Sequence, residues 1–181
     1  MLERVGVPIE VRPADIDERA EPGEDPAAYV LRIARGKAMA IARRPEQWVL
    51  AADTTVTIDG AILGKAETPD EAIAMLRQLV GRPHRVLTAF VLVGGDVRFE
   101  RVIESEVDMV AADDATLADY VACGEWRGKA GAYALQGIAA ALVRGVRGSV
   151  TNIIGLPLAE VLAALREVGG PAPRFTAGNP V

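Results

Sequence analysis

The 181 residues include one cysteine, Cys123, and one histidine, His84. A lone cysteine forms no internal disulfide and no cysteine-only zinc site. A lone histidine excludes zinc sites built from several imidazoles, and a Ser-His-Asp triad would have to use His84. Aromatic residues make up only 4%, too few to expect base-stacking platforms for single-stranded nucleic acid. The basic residues number 20 against 25 acidic ones, a net charge of −5. Duplex DNA binders carry a basic surplus, and none is visible here. No apolar run reaches the ~18 to 20 residues that cross a bilayer. No leader pattern opens the chain, so the expectation is a cytoplasmic, reducing compartment. With 50% hydrophobic and 25% charged residues, the chain is expected to form one globular domain around its own core.

Lysine is the next scarcity. Of the 20 basic residues only three are lysine, Lys37, Lys65 and Lys129; the rest are arginine. A compositional bias with three random survivors would give this. So would three positions that need a compact ammonium rather than a planar fork, and lysine commonly serves as a point-charge partner for phosphate.

Along the chain, Met1 to Gly6 reads as a helix tail and Pro8 to Arg12 as a short strand. An acidic loop containing Asp17 and Glu18 follows. Asp25 caps and Pro26 opens a helix running to about Arg43. Its apolar stripe holds Val30, Ile33, Ala34, Ala38 and Ile41. Lys37 falls on that stripe, where it either snorkels to the rim or points into a site. Trp48 to Ala52 reads as a buried strand, and Asp59-Gly60 as the turn of a hairpin between Thr55–Ile58 and Ala61–Leu63. Thr68 to Glu71 forms a capping box for a helix that stops at Gly81. Val86 to Val93 and Val97 to Met109 are strands around a glycine turn. Asp113 or Asp114 starts a helix ending near Cys123. Gly124 to Gly137 is a glycine-rich functional loop, Ile138 to Val143 a strand, and Leu158 to Leu165 part of a last helix. Hairpins interrupt the alternation of strand and helix, which predicts an α/β fold with a mixed, twisted sheet flanked by helices. The domain is expected over 1–168, with 169–181 as a flexible tail.

The chemistry-bearing residues are carboxylates and lysines. Asp53, read as lying just past a buried strand, would sit where α/β sheets form ligand crevices; a turn aspartate bonding its own backbone is the plainer reading. Together with Asp17-Glu18, Lys65 and Lys129 it supplies the parts of metal-assisted phosphoryl chemistry, carboxylates for a hard cation and lysines for phosphates. His84 reads as a surface or strand-start residue, Cys123 as packing, Trp48 and Trp126 as core or interface, and Glu125 as either loop surface or site.

These residues carry a resemblance. Val49 to Val56 with Ile62-Leu63-Gly64-Lys65 is similar to the signature of the Maf family of nucleotide pyrophosphatases. So are Met75-Leu76, Leu79, Gly81 to His84, Val86 and Thr88. The block Gly124-Glu125, Lys129 to Tyr133 and Gln136-Gly137 is the most specific. Gly148-Ser149, Asn152 and Gly155 to Leu158 complete a match over roughly Leu2 to Val168. The resemblance implies a mixed α/β domain related to inosine triphosphatases, with a central cleft and often dimeric. It implies hydrolysis of a nucleoside triphosphate, dTTP or UTP in this branch, to the monophosphate and pyrophosphate with Mg²⁺ or Mn²⁺. It makes Asp53 the base, Glu18 and Asp53 metal ligands, Lys37, Lys65 and Lys129 phosphate partners, and Thr54 and Gln136 base-specificity residues. Neither nucleic acid nor membrane is an expected partner.

Two departures are visible. Ala66 follows Lys65 where the family has proline, which only stiffens the turn. The family also opens with a strand and a Ser-x-Ser-Pro-Arg-Arg loop, a natural phosphate cradle. This chain begins inside the helix that follows. The absent strand, loop and first turn would amount to ~15–20 residues by ordinary element lengths. The expectation is a start placed too late, and weakened turnover in the chain as given. A pyrophosphatase for modified purine triphosphates and a non-catalytic binding protein of cell-division control are the alternative readings.

Overall fold

A computed structural model describes residues 1–175; the last six residues of the expected tail lie outside the described residues. Three features of the sequence set the helices. Asp25 accepts from the backbone N–H groups of Ala27 and Ala28, and Pro26 opens α1 (Pro26–Ala40), satisfying donors that the first turn would otherwise leave unpaired. Thr68 and Glu71 form the reciprocal capping box of α2 (Pro69–Leu79). Asp113, the first of the two candidate caps, holds Thr116 N at the start of α3 (Asp114–Ala122).

The strands are β1 (Trp48–Ile58), β2 (Ala61–Leu63), β3 (Pro83–Gly94), β4 (Val97–Met109) and β5 (Val143–Arg147). They form one sheet in the order β2-β1-β3-β4-β5. The helix-flanked α/β architecture is present, and all four pairings are antiparallel. For two of the four the reason is local: β1–β2 and β3–β4 are hairpins, and a two-residue turn permits only antiparallel pairing. In the first hairpin Asp59 and Gly60 both take positive φ, 51° and 81°, the geometry that matches strand twist and favours Asp-Gly.

Several boundaries differ from the sequence reading. Met1 to Gly6 holds only a 3₁₀ turn, Glu3–Val5, closed by Gly6. Pro8 to Arg12 joins no ladder; Arg12 instead binds Glu10 and the Ala42 carbonyl. Helix α1 stops at Ala40 rather than Arg43. Trp48–Ala52 and Thr55–Ile58 are one strand, because Asp53 and Thr54 pair with Ala89 and Thr88 without a break. Ile138–Leu142 is a 3₁₀ turn that precedes β5. A short helix, α4 (Val150–Ile154), capped by Ser149, precedes α5 (Leu158–Glu167). Beyond α5 the chain returns to the amino-terminal turn, where Arg174 N donates to Val5 O at 3.0 Å.

Helix α1 covers one face of the sheet, with Val30, Ala34 and Ala38 against Val49, Leu87, Ala89 and Val91. The other face has two covers. At one end Val161, Ala164 and Leu165 of α5 pack on Phe90 and Leu92. At the other, Leu76, Leu79, Leu117 and Trp126 pack on Val56, Val86, Val107 and Met109. Between these covers α4 lies against β3 and β4. Trp126 is thus a core residue, its indole N–H donating to Val121 O. Among the described residues no helix is long and apolar enough to cross a membrane.

Candidate active site

Strand alternation sends neighbouring side chains to opposite faces. Asp53 and its neighbours Ala51 and Thr55 face α1, whereas Ala52, Thr54 and Val56 face the other way. Because β2 pairs only with Val56–Ile58, β1 has an open edge at Asp53, and side chains from both faces reach the same cleft. Asp53 therefore sits in mid-strand at that edge, not at a strand's carboxyl end as the sequence suggested.

On the α1 side the charges form a chain. Lys37 Nζ donates to Asp53 Oδ1 at 2.7 Å and lies 2.8 Å from Glu18 Oε1. Lys65 Nζ reaches Glu18 Oε2 at 3.3 Å. Lys37 of the apolar stripe thus turns its ammonium to Asp53 and Glu18 rather than snorkelling to the rim. The loop carrying Glu18 is pinned by the Tyr29 hydroxyl, which donates to the Glu18 carbonyl at 2.9 Å. Asp17, the other acidic candidate, turns outward to Arg19.

Burial decides the proton affinities. Asp53 is only 9% exposed, and that desolvation raises its pKa although Lys37 pulls the other way. Burial disfavours the Lys37 ammonium, but hydrogen bonds to Asp53 and Glu18 outweigh it and leave its pKa raised. Glu18, wetter and bonded by Lys37, is held below the usual carboxylate range. The result is a carboxylate with enhanced basicity beside one that stays ionised.

The cleft encloses about 290 Å³ and is lined by five of the seven candidate residues: Asp53, Thr54, Lys65, Lys129 and Gln136. Glu18 and Lys37 adjoin it through Asp53 and Lys65. Its far wall is the loop 124–137, clamped to the end of β2 by the Lys65–Ala130 bridge and by Gly131 N donating to Gly64 O at 3.0 Å. Gly131 has φ 67°, and a Cβ there would lie 2.9 Å from Val56 Cγ2; only glycine allows this approach. Glu125 braces the same loop by accepting from Ile138 N at 2.7 Å. The lining is polarised: Asp53 and Lys65 are joined through Lys37 and Glu18 on one side, while Thr54 bonds Thr88 and lies beside Gly155 on the other, uncharged side.

His84 differs from its sequence reading. It does begin a strand, but it is buried, with Nε2 2.9 Å from the Tyr133 hydroxyl. Burial pushes its pKa down to about 4, so it is a neutral structural partner rather than a base. Cys123 is exposed at the end of α3, not packed. Residue patterns also gave no role to Thr88, Ser105 and Asn152, which are buried and hydrogen-bonded beneath the neutral end. Their usable signal is polarity on otherwise apolar strands and at a helix cap.

Among the described residues there is no cluster of three or more histidine, cysteine or acidic side chains that would enclose a metal. The two carboxylates Glu18 and Asp53 supply hard oxygen donors only. That set suits a magnesium-like ion that takes its remaining ligands from phosphate oxygens and water.

The Maf-like protein family matches residues 1–168. A protein of Anaeromyxobacter dehalogenans (strain 2CP-1 / ATCC BAA-258) named dTTP/UTP pyrophosphatase is 48% identical over 177 residues, spanning 96% of this chain and 90% of its own. Proteins of the same name from Ruegeria sp. (strain TM1040) and Geobacter sp. (strain M21) are each 44% identical. The alignments cover 98% and 93% of this chain, and 92% and 89% of theirs. On the match to the family and the extent of these identities, the chain belongs to the Maf-like protein family.

Proposed function

We propose that this chain hydrolyses dTTP and UTP to the monophosphate and pyrophosphate. The observation that carries the reading is the Asp53–Lys37–Glu18–Lys65 chain at one end of a cleft whose other end is neutral, an arrangement that fits a triphosphate and a base respectively. The relatives named dTTP/UTP pyrophosphatase support the same substrates.

In this reading a water attacks the α-phosphorus, and Asp53 takes its proton at a carboxylate oxygen. Lys37 engages Oδ1, which orients the carboxylate and leaves its second oxygen for the water. The bond from the α-phosphorus to the α,β-bridging oxygen breaks, and its electron pair leaves on pyrophosphate. The raised pKa of Asp53 makes it the stronger base of the two carboxylates. Lys65, Lys37 and Lys129 balance a triphosphate that the acidic protein would otherwise repel. A divalent cation, Mg²⁺ or Mn²⁺, would be held by Glu18 and Asp53 and would supply charge neutralisation at the phosphates. Thr54 and Gln136 supply hydrogen-bonding groups for a pyrimidine edge.

The test is pyrophosphate release from dTTP, UTP, CTP and purine triphosphates with Mg²⁺ or Mn²⁺. The expected result is turnover of dTTP and UTP above the others. Best turnover of a purine triphosphate, or none of any, would overturn the reading.

A further inference from the structure

Beneath the neutral end of the cleft a series of hydrogen bonds fixes where each proton lies. Thr88 Oγ1, wholly buried, is 2.9 Å from the backbone carbonyl of Asn152 and 2.8 Å from Thr54 Oγ1. A carbonyl oxygen has no proton to give, so the single hydroxyl proton of Thr88 goes to Asn152 O. The proton of the Thr54–Thr88 contact must then come from Thr54.

The Asn152 carbonyl is itself held still. It also accepts from Gly155 N at 2.9 Å. The Asn152 side chain donates to Val86 O at 3.0 Å and to Ser105 Oγ at 3.1 Å. Ser105 in turn donates to Ser149 O at 3.1 Å. Thr54 therefore shows the cleft lone pairs only. Gly155 lies beside it, where a Cβ would be in ordinary contact with Thr54 Oγ1 at 3.7 Å.

This polarity has a consequence for the base. Uracil and thymine present an N3–H donor between two carbonyls, whereas cytosine presents a bare N3 lone pair. Set opposite N3, an oxygen that can only accept pairs with the first and opposes the second, whose donor is the neighbouring 4-amino group. Gln136 cannot supply this discrimination, because a half-turn of its amide exchanges donor and acceptor. We propose that Thr88 is a positioning residue that locks Thr54 as an acceptor and so selects bases carrying an imide N–H over cytosine. The inference rests on the nucleotide reading above and names how that site tells its substrates apart.

The test measures binding of the α,β-methylene analogues of UTP and CTP to the wild-type chain and to Thr88→Val and Thr88→Ser. Valine keeps the shape and removes the relay, freeing the Thr54 hydroxyl to donate into the cleft. The uracil-over-cytosine affinity ratio should fall roughly tenfold, the scale of one hydrogen bond gained or lost, and Thr88→Ser should restore it. If Thr88→Val does not fold, Thr54→Val should lose the same preference while Thr54→Ser keeps it. A wild-type preference for the uracil analogue that survives Thr88→Val, or Thr54→Val where the former does not fold, overturns the relay and leaves the nucleotide reading standing. Equal wild-type affinities also overturn it. If neither analogue binds the wild-type chain, the nucleotide reading itself falls, and this inference falls with it.

Discussion

Asp53 and Thr54 are consecutive, yet they belong to different chemical regions. Asp53 faces α1, where two carboxylates and two lysines hold one another by charge. Thr54 faces α4, where uncharged hydroxyls, an amide and backbone carbonyls hold one another with fixed protons. The α1 face can change its charge; the hydroxyl network on the α4 face cannot change its polarity. The difference teaches how one strand serves both needs: alternation separates the two regions, and the open edge of β1 lets both reach one cleft. Charge alone would bind any triphosphate, and neutral polarity alone would bind a base without acting on it.

The largest expected effect comes from breaking the α1 face. Asp53→Asn keeps the side chain's size and removes the proposed base. Pyrophosphate release should fall by roughly 10²- to 10⁴-fold, the usual worth of a positioned general base. Affinity for the uracil analogue should change little, since Thr54 and Gln136 are untouched. Steady-state kinetics on dTTP decide it: retained hydrolysis removes Asp53 from the base role.

The next effect tests the α4 face, through its neutral histidine. His84 has a pKa of about 4 in the fold against an ordinary 6.5. As pH falls below 6.5 the unfolded chain takes up a proton that the folded one refuses, so stability is lost from there down to about pH 4. A proton affinity depressed this far costs the fold roughly 3 kcal/mol at the acid end. His84→Gln should flatten that part of the stability curve, measured by urea denaturation from neutral pH down to the His84 transition. An unchanged slope would show that His84 does not carry the acid sensitivity.

The two regions were unequally legible in the sequence. The α1 face announced itself through scarcity: three lysines among 20 basic residues, of which Lys37 and Lys65 both touch Glu18. Helix starts were legible for the same reason that they form, since Asp25, Thr68 and Asp113 satisfy orphan N–H groups within their own turn. Strand pairing was not, because it depends on distant partners. Pro8–Arg12 alternates but finds no neighbour, and the Asp53-Thr54 pair looks like a break until β3 is placed beside it. The α4 face was least legible of all. Thr88, Ser105 and Asn152 are far apart in the chain and ordinary in type, and only the sheet register and the Ser149 cap bring them together.

The smallest effect sharpens the contrast by altering charge without removing the base. Lys37→Met deletes the ammonium between Asp53 and Glu18 but keeps a flexible stem of similar length. Lys37 is the main group that draws the Asp53 pKa down against burial, with a smaller pull from Lys65, while the Glu18 charge pushes it up. With Lys37 gone, only the smaller pull of Lys65 opposes burial and the Glu18 charge, and the Asp53 pKa rises further. Because the base must be ionised to take a proton, the acidic limb of the pH profile of kcat/KM should move to higher pH. At neutral pH the loss should be about tenfold, the scale of one charge-assisted hydrogen bond. The hydroxyls around Thr54 do not titrate in response, so the preference for uracil over cytosine should hold while the limb moves. A limb that stays in place would mean that Lys37 serves the phosphates alone. A shift in base preference would mean that the two faces of β1 are coupled rather than separate.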